Sequence, residues 1–123
     1  MGYSDGIGHV IDLMPTALEL AGVKSSNLAG KSFSYLWTKN KAPERTYCWE
    51  HEGNQAIRKG NWKLVKEFQE TYWSLYNLAT DPTEMNDLSG VEAARAKSMM
   101  EEYAVWFAKV RARPYKKGGG KAE

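Results

Sequence analysis

With 123 residues, 42% of them hydrophobic and 12% aromatic including five Trp, the chain has the material for one folded domain with a real core, which excludes a disordered segment. No apolar run approaches the roughly 20 residues of a membrane span, and the start at Met1–Gly8 lacks the charged and apolar regions of a signal peptide, so any export signal is expected upstream. The net charge of +2 is uneven: Arg111, Arg113, Lys116, Lys117 and Lys121 are balanced only by Glu123, so residues 1–110 hold 12 bases against 14 acids, and the basic, Gly-rich end reads as a solvated terminus rather than a nucleic-acid site.

In chain order, the first predicted element is a helix over Asp12–Ala21, with Asp12 as its cap, Pro15 in its first turn and Gly22 as its stop. Leu13, Ala17 and Leu20 line one stripe and Met14, Leu18 and Ala21 the next, so the helix is apolar around most of its circumference. Such a surface is expected to be covered by a partner domain or, in the chain alone, to drive self-association through this helix. Lys24–Ala42 reads as irregular, with a short apolar turn at Phe33–Trp37.

Four strands are predicted at about Thr46–Glu52, Gln55–Lys59, Trp62–Phe68 and Tyr72–Leu78, each aromatic or β-branched and separated by short turn signals, the pattern of an antiparallel meander. The first two are joined at Gly53-Asn54, and Lys59-Gly60-Asn61 leads into the third, because Gly and Asn tolerate positive φ. Asp81-Pro82-Thr83-Glu84 carries a cap, a proline and a Glu in the order that starts a short helical turn. Ser89-Gly90-Val91-Glu92 repeats the logic and opens a long helix to about Arg111, on which Met99, Tyr103, Trp106, Phe107 and Val110 form one apolar face. The fold class is therefore α+β: a small four-stranded antiparallel sheet packed against a long C-terminal helix, with a short N-terminal helix.

Chemistry concentrates at the first hairpin. Glu50, His51, Glu52, Asn54 and Arg58 form a polar cluster between aromatic flanks, more than a strand pair needs for folding alone. A metal site at Glu50-His51-Glu52 is disfavoured, since alternation along a strand turns His51 away from the two carboxylates. Arg58 can offer a two-pronged fork to a sulfate or carboxylate, or pair with Glu50 or Glu52 at the surface. His9, beside the first helix, reads as structural. Cys48, the lone cysteine, excludes an internal disulfide and reads as a small buried thiol.

Four ordered pieces carry a family resemblance: H-V-I-D-L-M-P-T-A-L-E-L-A-G-V at His9–Val23, L-A-G-K-S-F at Leu28–Phe33, H-E-G-N-Q-A-I-R-K-G-N-W-K-L-V at His51–Val65, and L-Y-N-L-A-T-D-P-T-E-M-N-D-L at Leu75–Leu88. Together they resemble the C-terminal region of bacterial sulfatases of the arylsulfatase type, in the alkaline-phosphatase-like superfamily. The resemblance implies that residues 1–30 are an edge helix and loop of the catalytic domain, 31–112 the C-terminal subdomain, and 113–123 a flexible tail. It further implies a periplasmic or secreted hydrolase of sulfate esters on sugar or aryl substrates. The calcium ion and the formylglycine, the latter made from Cys or Ser in a C/S-x-P-x-R motif, would lie in an N-terminal catalytic domain, with no catalytic or metal-binding residue in this chain. The H-E-G-N turn would then form part of the substrate-pocket rim, with His51, Asn54 and Arg58 as substrate-binding residues. A free-standing module that binds sulfated or anionic carbohydrate is the alternative. Nothing in the residues points to nucleic acid.

Overall fold

The computed structural model describes residues 6–24, 27–38 and 44–110. The tail 113–123 and the expected helix end at Arg111 lie outside them. The chain divides into two compact units, with the division between Glu44 and Arg45.

In the first unit a single 3-10 turn, Val10–Asp12, runs into α1, Leu13–Leu20, and a short α2 follows at Tyr35–Thr38. The expected cap at Asp12 is not what forms. The Asp12 carboxylate makes no capping bond to α1; it accepts instead the backbone N–H of His9 and, 19 residues on, that of Lys31, both at 2.9 Å. His9 has the structural role expected of it, its Nδ1 accepting the Ile11 N–H at 3.2 Å. Thr16 donates to the Asp12 carbonyl at 2.6 Å and accepts the Phe33 N–H at 3.1 Å. Gly30 lies between these contacts, and a Cβ there would come within 2.0 Å of the Ile11 carbonyl oxygen. Only glycine lets the Leu28–Phe33 segment pass this close to the turn. The buried residues of α1 and its entry turn are accordingly polar, Asp12 and Thr16, while Val10, Leu13, Met14 and Leu20 are exposed.

The second unit is the expected meander. Strands β1 (Thr46–His51), β2 (Asn54–Lys59), β3 (Trp62–Lys66) and β4 (Ser74–Asn77) pair in sequence order, all antiparallel. The hairpin β1–β2 turns on Glu52-Gly53 rather than Gly53-Asn54, since His51 and Asn54 are already paired across the strands. Both central residues have positive φ, +51° at Glu52 and +85° at Gly53, as a primed two-residue turn demands.

One face of the sheet presents the row Cys48, Ile57, Leu64, Leu75, in register across all four strands. Helix α3, Ala93–Val110, lies on it and adds Ala96, Met99 and Tyr103 to the core. Trp106 and Phe107 pack at the margin, and Val110 is exposed. Arg95 stacks over the Trp62 ring at 4.3 Å.

The connection between β4 and α3 is held by carboxylates instead of the expected helical turn. Asp81 accepts the N–H groups of Met85 (3.1 Å) and Asn86 (2.8 Å), and Glu84 adopts a left-handed φ of +58° that no helix continues through. Asp87 accepts the N–H of Leu75 (2.9 Å) and of Ser89 (2.8 Å), so the loop clasps β4 before the helix begins. The second capping sequence, Ser89–Glu92, forms turns, and α3 starts only at Ala93.

Candidate functional site: the hairpin tip and the groove beside it

Pleating places Tyr47, Trp49 and His51 of β1, Asn54, Ala56 and Arg58 of β2, and Lys63 and Val65 of β3 on the sheet face opposite α3. All three predicted site residues therefore share a face. They do not share a site. His51 and Asn54 are partners at the tip, whereas Arg58 lies four residues along β2, about 13 Å away, opposite Tyr47.

The tip is rigid. Asn54 donates from Nδ2 to the His51 carbonyl at 3.1 Å and accepts the Phe68 N–H at 3.1 Å. The Gly53 N–H donates to the Glu50 carboxylate at 2.9 Å, and a Cβ on Gly53 would fall 2.2 Å from the Phe68 ring. The tip thus needs glycine twice, for its φ and for the ring resting on it. His51 is exposed there, its imidazole free to donate or accept toward a ligand.

Arg58 lines a groove of about 660 Å³ with Trp49, Ala56, Lys63, Leu78, Pro82 and Glu84. Of the two readings of Arg58, the surface pair with Glu50 or Glu52 is not the one formed among the described residues; its Nε donates instead to the Gly60 carbonyl at 3.1 Å. Lys63, directly across the strands from Arg58, pairs with Glu84. Two like charges facing each other across a ladder are unfavourable, and one carboxylate answers two cations. Sequence reasoning passed over Trp49, Lys63 and Glu84, because only the register and the left-handed Glu84 bring them together.

Cys48 is half-buried on the α3 side, and loss of hydration, then the nearby Glu102 carboxylate, push its thiol up to about 11. That is the opposite of an activated nucleophile. Glu102 itself is held below the usual carboxylate range by hydrogen bonds from Thr46 and then Lys59. Tyr103 is pushed up to about 12, first by burial and then by Glu50, and its hydroxyl donates to the Trp49 carbonyl at 3.3 Å.

The residues present do not fit the family's two reactive groups. No C/S-x-P-x-R motif occurs in the sequence, Cys48 being followed by Trp49, Glu50 and His51. Among the described residues no group of three or more His, Cys, Asp or Glu side chains is placed to hold a metal ion. No described helix is long and apolar enough to cross a membrane.

The family model for the N-sulphoglucosamine sulphohydrolase C-terminal domain matches residues 3–105, and the chain belongs to that family. An uncharacterized sulfatase of Schizosaccharomyces pombe is 31% identical over 121 residues, covering 85% of this chain and 22% of its own length. Among solved structures, Ps i-CgsB superposes with a TM-score of 0.65 at 31% identity, over 77% of this chain and 23% of its own. BT4656, solved with its substrate D-glucosamine-2-N,6-O-disulfate, shares the fold with a TM-score of 0.65 at 22% identity, over 88% of this chain and 25% of its own. The chain thus spans about a quarter of the length of the relatives it matches.

Proposed function

We propose that this domain serves a sulfuric ester hydrolase acting on sulfated sugar or aryl substrates, to which it contributes part of the pocket rim while the calcium ion and formylglycine reside in an N-terminal catalytic domain. The observation that carries the reading is the family match over residues 3–105. Saccharide ligands named for the neighbours, D-glucosamine-2-N,6-O-disulfate for BT4656 and k-i-k-neocarrahexaose for Ps i-CgsB, support a sulfated sugar over a simple aryl sulfate.

In this reading His51 is the rim residue that meets substrate, Asn54 holds the tip in shape and offers its remaining amide hydrogen, and Arg58 contributes charge further along the sheet. Each is a binding or positioning group, and none moves a proton or forms a covalent bond. The test is kinetic, in the intact enzyme. His51→Ala should lower kcat/KM on the natural sulfated sugar by about tenfold to a hundredfold, the loss of one or two contacts worth about 1–3 kcal/mol in all. A small aryl sulfate that does not reach the rim should lose much less. Equal losses on both substrates, or none in a folded variant, would return the tip to a purely structural role.

A further inference from the structure

We infer, on the reading of His51 as a rim residue, that Phe68 in the link between β3 and β4 is a positioning residue: it sets where the His51 imidazole points without itself touching substrate. The last ladder pair between β2 and β3 is Gln55–Lys66, so His51 and Asn54 with the turn between them project past the third strand as a two-stranded ribbon. Such ribbons twist readily and are marginal alone, so a side chain at their end swings with them. Phe68 supplies the support that the third strand does not. Its N–H donates to Asn54 Oδ1 at 3.1 Å, and its ring rests on Gly53, where an added Cβ would stand 2.2 Å from the ring carbon Cδ2.

Two observations separate this role from plain packing. Among the described residues Phe68 belongs neither to the buried cluster around Ile57, Leu64 and Leu75 nor to the half-buried side chains packed against it, so its ring covers the tip and not the core. The turn is also tied more often than a two-residue hairpin needs. Beyond the ladder, the Glu50 carboxylate accepts the Gly53 N–H at 2.9 Å, Asn54 Nδ2 donates to the His51 carbonyl at 3.1 Å, and Phe68 holds that same Asn54 side chain from behind. The contacts therefore run without a break from Phe68 through Asn54 to the backbone of His51. Glu52 keeps a left-handed φ of +51° inside this frame, a conformation that a non-glycine residue holds only where its surroundings over-determine it. An imidazole fixed in this way before it meets a ligand loses less freedom on contact, which is what a positioning residue contributes.

The test joins amide exchange in the 123-residue chain to kinetics of the intact enzyme. In the chain, Phe68→Ala should speed exchange at Gly53 by about tenfold or more and leave exchange at Leu64 unchanged, while Phe68→Tyr, which keeps the ring, should restore the Gly53 rate. The enzyme is assayed on glucosamine 6-sulfate and galactose 4-sulfate, each free and as the end unit of a disaccharide, and on nitrophenyl sulfate. On the sugar turned over fastest, Phe68→Ala should raise KM by about threefold to tenfold with kcat held within about twofold, and nitrophenyl sulfate should be spared. Placed in a His51→Ala background, the same change should cost nothing further, because a residue that acts only through His51 then has nothing left to position. Unchanged Gly53 exchange in a folded Phe68→Ala variant, equal losses on sugar and aryl esters, or losses that add in the double variant would overturn the inference and leave the rim role of His51 in place. A silent His51→Ala, or turnover of none of these sugars, would remove the rim reading and this inference with it.

Discussion

The two units of this chain solve the problem of a buried interior in opposite ways. In the sheet unit the interior is apolar: Ile57, Leu64 and Leu75 are completely buried, and Ala96, Met99 and Tyr103 nearly so. Around α1 it is polar: Asp12 and Thr16 are 1% and 4% exposed, while Leu13 and Leu20 are 57% and 66% exposed. The difference teaches where each unit's order comes from. The sheet unit is held by area removed from water, whereas the α1 unit is held by directed hydrogen bonds between segments far apart in sequence.

The strongest way to break this contrast is to cut into the apolar core. Leu64→Ala should destabilise the sheet unit by about 2–5 kcal/mol, read from denaturant melts, because neighbours fixed on two strands and a helix cannot close the void. Leu13→Ala, also a leucine truncation, should be nearly silent. If the two cost the same, the α1 unit has an apolar interior after all.

The reverse experiment adds apolar character to the polar latch. Thr16→Val keeps the shape but leaves the Phe33 N–H without its acceptor, at a cost of about 1–3 kcal/mol. Amide exchange at Phe33 should speed up accordingly, with exchange at Leu64 unaffected. A protected Phe33 amide in that variant would show that the hydrogen bond does not hold the loop.

Acid should loosen the loop before the core. The Asp87 carboxyl is held below its ordinary value of 3.8: loss of hydration would raise it, but the N–H groups of Leu75 and Ser89 outweigh that effect. A depressed carboxylate stabilises fully above its unfolded pKa, and the contribution disappears as pH falls through the lower folded value. Amide exchange at Leu75 should therefore keep its protection down to about pH 4. Below that it should fall, and less so in Asp87→Asn, which does not titrate.

Smaller in free energy, but sharper in kind, are two surface readouts. The exposed apolar residues of α1 should make the isolated chain self-associate, and Leu13→Lys with Leu20→Lys should shift it toward monomer in sedimentation without changing its melt. A wild-type chain that stays monomeric at high concentration would remove this consequence. In the sheet unit Cys48 reports opening: with its thiol raised to about 11, alkylation at pH 8 should be slow when folded and normal when unfolded. Rapid alkylation of the folded chain would mean that the row Cys48, Ile57, Leu64, Leu75 is not closed.

The contrast also explains which features were legible beforehand. The four strands, the long helix and its face through Met99 and Tyr103 follow from side-chain periodicity and turn residues, which are local properties, and they occur within a few residues of where periodicity places them. The cap at Asp12 and the helical turn at Asp81 were misread. Each residue is an ordinary capping type, but the carboxylates are claimed by other amides, that of Lys31 in one case and those of Met85 and Asn86 in the other. His51 and Asn54 stood out because polar residues at a hairpin tip are conspicuous in a sequence. Trp49, Lys63 and Glu84 did not, since each taken alone is an unremarked strand or loop residue.

The sequence by itself determined the meander, the helix that covers it and the family to which both belong, because alternation, helical spacing and ordered motifs are written residue by residue along the chain. Tertiary structure alone decided the inverted interior around Asp12, the Phe68 ring resting on Gly53, and the opposition of Arg58 to Lys63 beside a left-handed Glu84. Those contacts depend on register and on the meeting of segments distant in sequence. A single-residue slip in either would turn the same side chains to other partners.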